Sequence, residues 1–427
     1  MITEASSSLD TDARALEQFT SEGVRDLASL PSKADRTTAQ IALADGVHHE
    51  SRRLRARFMA QHADEVYDAL TDGRTRRPRI SELVLSAAER FPGLVPTADE
   101  LAAESSLAQQ RKEGREIDQG IFFQHVLRHP GAGRHLVDSM LLPTGRALAL
   151  LPDFRASGSL ELGTVRIERR DGIAHVTITN IHCLNAEDNE LTADLETAVD
   201  LVLLDDGTHV GVLRGGVMTH PRYAGRRVFS AGINLKHLHG GKISFVDFLL
   251  GRELGFISKL VRGVLTEDGL GQRIEKPWVA GVDTFAIGGG MQLLLVLDHV
   301  VAASDSYLSL PAAQEGIVPG LANLRLTRAV GSRIARQIVL GGRKVWASEQ
   351  DARLLVDDVA DPREMDQAVD RAADVLASPA VAPNRRMLNH ADEPVDQFRE
   401  YMAEFALTQA LRLYSADVLG KVARFSA

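Results

Sequence analysis

Two hydrophobic periods run along this chain. Up to about residue 160 the apolar positions Leu54, Phe58, Val66, Tyr67 and Leu70 recur at helical spacing between charged residues. Ile80, Leu83, Val84 and Ala87 continue that pattern until Phe91-Pro-Gly93 breaks it. A further helix is expected around Asp118–Leu127, ending at His129-Pro-Gly-Ala-Gly133, and the stretch from Leu142-Pro-Thr-Gly to Ala156-Ser-Gly158 reads as a connector. From Gly163 the period drops to two. Val165–Glu168 and Ile173–Thr179 alternate around Arg170-Asp-Gly172, which predicts a hairpin. Leu191, Leu195, Ala198, Val199 and Val202 mark one helix face, and Val210–Leu213 is a short apolar strand. Phe245–Leu265 reads as an amphipathic helix, and Gly263-Val to Gln272-Arg, just before Lys276-Pro-Trp, as a polar loop. Val279–Val282 and Val300–Ala303 extend the alternation, which predicts an α/β core with crossover helices. From Glu349 the pattern is helical again. The expected organisation is a helical N-terminal extension over 1–160, an α/β core over 161–348 and a helical C-terminal region over 349–427. No catalytic motif stands in the extension, so assembly or covering of an active site is its expected role.

A chain of 427 residues exceeds one ordinary core, which makes more than one domain the expectation. A net charge of −9 without a basic stripe argues against a nucleic-acid surface. The single Cys183 excludes an internal disulfide and supplies no cysteine cluster for zinc or iron–sulfur. The start, Met1-Ile-Thr-Glu-Ala-Ser, is polar, and no run approaches 18 apolar residues, so a soluble cytoplasmic protein without a membrane span is expected.

The chemistry points to two segments, Phe229-Ser-Ala-Gly-Ile-Asn-Leu-Lys236 and Phe285-Ala-Ile-Gly-Gly-Gly-Met-Gln292. Each is an apolar approach into a glycine-bearing turn that opens toward a helix. Such turns expose backbone N–H groups at the partly positive helix N-terminus. Two of them aimed at one point form an oxyanion hole without a catalytic side chain. Together they resemble the crotonase (enoyl-CoA hydratase/isomerase) superfamily, in which the acyl-CoA thioester oxygen sits between two such groups. The resemblance implies a ββα spiral core and makes Ile233 and Gly289 the donors. Val300-Val-Ala-Ala-Ser304, Leu308-Ser-Leu-Pro311, Gly316-Ile-Val-Pro-Gly320, Leu340-Gly-Gly-Arg343 and Ala352-Arg-Leu-Leu-Val-Asp357 follow the superfamily's order. The hydratases of the superfamily carry glutamates where this chain has Gln292 and Ala312. Neither residue can act as a base near neutral pH, so simple hydration is not expected.

Asn185-Ala-Glu-Asp188, Gly251-Arg-Glu253, Arg273-Ile-Glu-Lys-Pro-Trp278 and Tyr401–Tyr414, with both glycine turns, make the chain similar to one branch. That branch is the cofactor-independent (3,5-dihydroxyphenyl)acetyl-CoA 1,2-dioxygenases of glycopeptide-antibiotic pathways. The resemblance spans nearly the whole chain. It implies that O2 and an arylacetyl-CoA are converted to an arylglyoxylate and CoA, with no metal or flavin, in a trimer or paired trimers. It also implies that Arg252 meets the aryl end and that Glu187 accepts from a ring hydroxyl or relays a proton. Gln292 would then orient the thioester or a water, and Leu235 and Ile317 would line a dry O2 pocket. Each has a plainer alternative: a helix-surface arginine for Arg252, an early-helix carboxylate near a cap at Asn185 for Glu187, a helix start for Gln292, and core packing for Leu235 and Ile317. Arg222, Arg226, Arg227 and Lys236 are candidates for the CoA phosphates, with surface solvation as the alternative. His220, His237 and His239 lack metal-ligand spacing, and Cys183 reads as a buried thiol rather than a nucleophile. Met291 and the loop at Gly269–Gly271 depart from the branch pattern and bear on the pocket wall. Two rival readings use the same fold differently: an acyl-CoA thioesterase or isomerase with a relocated base, or an inactive binding module.

Overall fold

The alternation around Arg170-Asp-Gly172 becomes a two-residue hairpin in the computed structural model, which describes residues 8–266 and 272–423. Val165–Arg170 pairs antiparallel with Ile173–Ile178, Arg170 lying opposite Ile173. Asp171 and Gly172 take φ of 49° and 80°, the left-handed pair that matches the twist of the flanking strands. This hairpin seeds a seven-stranded sheet in the order Ser159–Glu161, Val165–Arg170, Ile173–Ile178, Val210–Gly215, Trp278–Val282, His299–Ala303 and Asp358–Ala360. The first two pairings are antiparallel and the rest parallel. Trp278–Val282 is buried throughout, as a central parallel strand must be. Gly211 makes room for it, since a Cβ there would lie 2.6 Å from Trp278 Cδ2. The crossover between Ile178 and Val210 is the helix Asn189–Leu204, capped by Asp188, whose side chain accepts from the Leu191 N–H at 3.2 Å. A smaller sheet pairs Phe285–Ile287 parallel with Tyr307–Ser309, which pairs antiparallel with Lys344–Trp346.

The chain forms two compact units, residues 141–235 with 247–394 and residues 1–140 with 236–246 and 395–427. The sheets belong to the first. The second is helical: Leu9–Ala28, Thr38–Leu70, Ile80–Arg90, Ala98–Ser105, Glu116–Arg128, Pro130–Met140 and Val395–Leu413. These units cut the chain at other places than residues 160 and 348. The physical reason lies in the last long helix, which packs on Glu116–Arg128 so closely that a Cβ on Gly120 would lie 2.7 Å from Ala410 Cβ.

Three local expectations are corrected. Pro130 opens a helix rather than only ending one, since its missing N–H costs nothing at the first helical position. The stretch read as a connector is the helix Gly145–Ser157, capped by Thr144 and ended by Gly158 at φ 69°. Ala147 and Phe154, seven residues apart, are fully buried on one face, and that burial outweighs Pro152 inside the helix. The region after Glu349 is not wholly helical, because Asp358–Ala360 adds the edge strand of the large sheet. Among the described residues no helix is long and apolar enough to cross a membrane.

Candidate functional site

Backbone pairing sets the two glycine turns against each other. Ser230 and Ala286 form a parallel bridge, and the Ile287 N–H donates to Ser230 O at 2.9 Å. A Cβ on Gly232 would lie 3.3 Å from Gly288 Cα, and one on Gly288 would lie 3.2 Å from Gly232 Cα. Gly288 takes φ 55° and ψ −118°, a conformation open to glycine, and its N–H donates to Ser309 O at 2.8 Å. Glu187 bridges Ile233 in parallel: Glu187 N–H donates to Gly232 O at 2.7 Å, and Asn234 N–H donates to Glu187 O at 2.8 Å. Residues on either side of Ile233 thus make the ladder bonds, which turns the Ile233 N–H away from that partner. Gly289 opens the helix Gly289–Leu294, so its N–H lies in the first turn, where no intrahelical acceptor exists. Among the described residues, neither the Ile233 nor the Gly289 N–H has a backbone acceptor.

Arg252 is buried, not a helix-surface arginine. The run expected as one amphipathic helix is instead two π-helical turns, Phe245–Leu250 and Glu253–Ile257, then Ser258–Arg262 and a strand at Val264–Leu265. Gly255 breaks it at φ −89° and ψ −109°, where a Cβ would lie 2.9 Å from Glu196 Oε1. Every residue from Glu253 to Leu265 is buried, so this run has no polar face. Arg252 Nε donates to Glu187 Oε2 at 2.5 Å and Nη2 to Gly289 O at 2.8 Å. Nη1 donates to Gln292 Oε1 at 2.9 Å and, at 3.3 Å, to Glu253 Oε1. A guanidinium has five N–H donors, so these four bonds leave one, on Nη2, uncommitted. Its charge also lies 5.7 Å from the centre of the Phe256 ring.

Glu187 stands two residues ahead of its helix, buried, and the helix cap is Asp188 rather than Asn185. Asn185 instead acts as a tie between segments. At φ 56° it donates its amide to Val228 O at 2.7 Å, joining the Glu187 segment to the first glycine turn. Glu187 Oε1 accepts a long bond of 3.4 Å from Ser230 Oγ, which itself accepts from the Gly232 N–H at 3.0 Å. A Cβ on Gly289 would lie 2.6 Å from Glu187 Cδ, so the carboxylate occupies the space a side chain would need. Glu187, Arg252, Gln292 and Gly289 therefore form one contact group.

Behind Arg252 the charges continue inward. Glu253 Oε2 lies 3.4 Å from Arg325 Nη1, Arg325 Nε donates to Glu393 Oε2 at 2.8 Å, and Arg262 Nη2 to Glu393 Oε1 at 2.7 Å. All are buried. Three carboxylates alternate with three guanidiniums, which lets each charge offset the desolvation of the next. Burial would raise Glu393, but the guanidiniums of Arg325 and Arg262 overcome it and hold the carboxyl at about 2. At Glu253 burial prevails over Arg325 and Arg252 and pushes the carboxyl upward. Sequence reasoning missed Ser230, Glu253, Arg325 and Glu393. The first two stand inside motifs already singled out, next to Phe229 and Arg252; the other two carry no local signal.

Among the described residues, the hydrogen bonds of that group do not reach the remaining candidates. Ile317 and Leu235 are half-buried. Arg222 is exposed on the turn Pro221–Tyr223, its guanidinium 5.5 Å from the Tyr223 ring. Tyr223 begins an aromatic series through Phe285, Tyr307 and Trp346. Lys236 is exposed and begins the 236–246 segment of the helical unit. Arg226 pairs with Asp305 at 2.8 Å, and Arg227 donates to Gly215 O at 3.2 Å. Cys183 is half-buried, and burial raises its thiol above the ordinary value. Met291 is fully buried in the main apolar core. Gly269–Gly271 lies outside the described residues. Among those residues no three His, Cys, Asp or Glu side chains are grouped to hold a metal.

A family model described as enoyl-CoA hydratase/isomerase matches residues 168–408. A (3,5-dihydroxyphenyl)acetyl-CoA 1,2-dioxygenase of Amycolatopsis orientalis is 58% identical over 417 residues, 97% of this chain and 96% of that one. A probable enoyl-CoA hydratase of Rhizobium meliloti is 28% identical over 234 residues, 54% of this chain and 82% of its own length. Among solved structures, an enoyl-CoA hydratase from Mycobacterium avium subsp. paratuberculosis aligns with a TM-score of 0.51 at 22% identity. It covers 62% of this chain and 99% of its own, a likeness of fold.

Proposed function

The chain belongs to the enoyl-CoA hydratase/isomerase family, and on that premise we propose that it is a dioxygenase converting (3,5-dihydroxyphenyl)acetyl-CoA and O2 to (3,5-dihydroxyphenyl)glyoxylate and CoA. The observation that carries this reading is 58% identity to a dioxygenase of that name across nearly the full length of both chains. The site supports it. Two backbone N–H groups, of Ile233 and Gly289, are left for an oxyanion, and one such donor is typically worth ~10²–10³ in rate. The substrate Cα–H lies between a thioester carbonyl and an electron-rich ring, so its anion spreads into both. The enolate oxygen takes the two N–H groups. Arg252, with one N–H uncommitted, and Glu187 Oε1 serve the ring hydroxyls, the arginine favouring the phenolate. Gln292, held by Arg252, orients the thioester.

The carbanion then gives one electron to O2, and the radical pair joins at Cα as a peroxide. The peroxide attacks the thioester carbonyl, CoA leaves as the thiolate, and O–O cleavage gives the α-keto acid. Both oxygens of O2 end in the arylglyoxylate, and the two Cα hydrogens leave as protons. The substrate is the reductant, so this reading needs neither metal nor flavin. Leu235 and Ile317 form the dry approach for O2, Arg222 and Lys236 meet the CoA phosphates, and the protein assembles as a trimer or paired trimers. The test is O2 uptake on metal-stripped, flavin-free protein given this substrate under ¹⁸O2. Label in the arylglyoxylate is expected. CoA release without O2 uptake would make the protein a thioesterase and overturn the reading.

A further inference from the structure

Arg252 is held by four bonds, and three of them end on atoms of the site itself: Glu187, Gln292 and the Gly289 carbonyl. The fourth ends on Glu253, which faces away into the core. Glu253 is held in turn. Its Oε2 meets Arg325 Nη1 at 3.4 Å, and the Leu321 N–H donates to the same carboxylate. Gly320 lies directly on it, since a Cβ there would be 2.6 Å from Glu253 Cδ, and Gly320 has φ 47°. Gly320 and Leu321 close the turn Gly316-Ile-Val-Pro-Gly320, which carries Ile317. At 3.3 and 3.4 Å the two arginine contacts are long for hydrogen bonds. Charge attraction in a buried site carries them, and it depends on Glu253 being an acid in that place.

We propose that Glu253 is a positioning residue for the oxygenation: it sets the direction of Arg252's uncommitted N–H and ties that direction to the turn carrying Ile317. This rests on the dioxygenase reading above. Without Glu253 a second N–H, on Nη1, is released, and the guanidinium loses its carboxylate partner on the core side. A residue acting this way governs how well the enzyme distinguishes a ring bearing hydroxyls from a bare ring. A residue that only stabilises the fold lowers both rates alike.

The experiment compares kcat/KM for (3,5-dihydroxyphenyl)acetyl-CoA and phenylacetyl-CoA, by O2 uptake, in the wild type and in Glu253→Gln. Glutamine keeps the shape, but with its carbonyl on Arg252 it turns an NH2 toward Arg325. The preference for the hydroxylated substrate is expected to fall at least ~10-fold, the low end for one hydrogen bond to a charged group. Glu253→Asp, which keeps the charge one methylene short, should recover part of that preference. If Glu253→Gln does not fold, the ratio is read on Glu253→Asp, where a fall is still expected. An unchanged ratio in the folded variant overturns the proposal while the dioxygenase reading stands. Absence of O2 uptake by the wild type overturns both.

Discussion

Gly289→Ala separates the geometry of the oxyanion turn from everything else about it. Gly289 has no positive φ, so alanine meets no backbone strain there, and alanine favours a helix start more than glycine does. The whole effect must come from the methyl group. It would stand 2.6 Å from Glu187 Cδ and 2.7 Å from Oε2, about 0.8 Å short of the 3.4 Å of ordinary contact. A carboxylate at the end of a free side chain would swing aside. This one is 3% exposed and bonded at 2.5 Å to Arg252, so retreat stretches that bond beyond 3 Å. A hydrogen bond between charged groups is worth ~1.5–3 kcal/mol. If instead the turn moves, the Gly289 N–H is misaimed, and a displacement near 1 Å costs ~10²-fold. The two routes together predict a fall in kcat of ~10–10²-fold with the fold intact. The assay is the initial rate of O2 uptake and of CoA thiol release on one sample, with circular dichroism to show folding. A cycle with Glu187→Ala identifies the cause: in that background the methyl has room, and its cost should shrink by ~10-fold or more. A single variant within about threefold of wild type, or full additivity in the cycle, would refute the reasoning.

Ile233→Pro deletes the other N–H, and turnover should fall by ~10²–10³; normal turnover by a folded variant would mean that Ile233 is not a donor. Glu393 supplies a pH prediction. Its carboxyl lies at about 2, below its ordinary 4.5, so its contribution is complete above pH 4.5 and is lost as the pH falls toward 2. Glu393→Gln should therefore melt lower than wild type at pH 7, by up to ~3 kcal/mol in stability, and the gap should close between pH 4.5 and 2. Glu253 is pushed the opposite way by burial, and the Glu393 charge adds to that push, so Glu393→Gln relieves part of it. A gap that does not change with pH would exclude the ion-pair explanation.

Much of the core was legible because its signals are local. The hairpin follows from alternation around Asp171-Gly172, the Asn189–Leu204 crossover from five apolar residues on one face, and the parallel strands from short apolar runs. The two glycine turns were legible for the same reason: a backbone that approaches another backbone closely admits only glycine, and glycine is written in the sequence. Local signals failed where burial decided. Gly145–Ser157, with a proline inside and with Pro143 and Gly158 on its flanks, reads as a connector until Phe154 and Ala147 are seen in the core.

The family, the two turns and the loss of both hydratase glutamates are all written in the chain, since each is a matter of which residue types stand a few positions apart. What the charges do is not written there; folding settles it. Arg252 stands in a run that reads as an amphipathic helix, where a surface arginine is the plainer reading, yet the run is buried and widened into π turns. Arg325 and Glu393 are 73 and 141 positions from Arg252 in sequence, and packing sets them in one alternating series with it. A charge carries no mark in the sequence of whether water or another charge will neutralise it. That depends on which distant segments exclude the water, and only the folded chain brings those segments together.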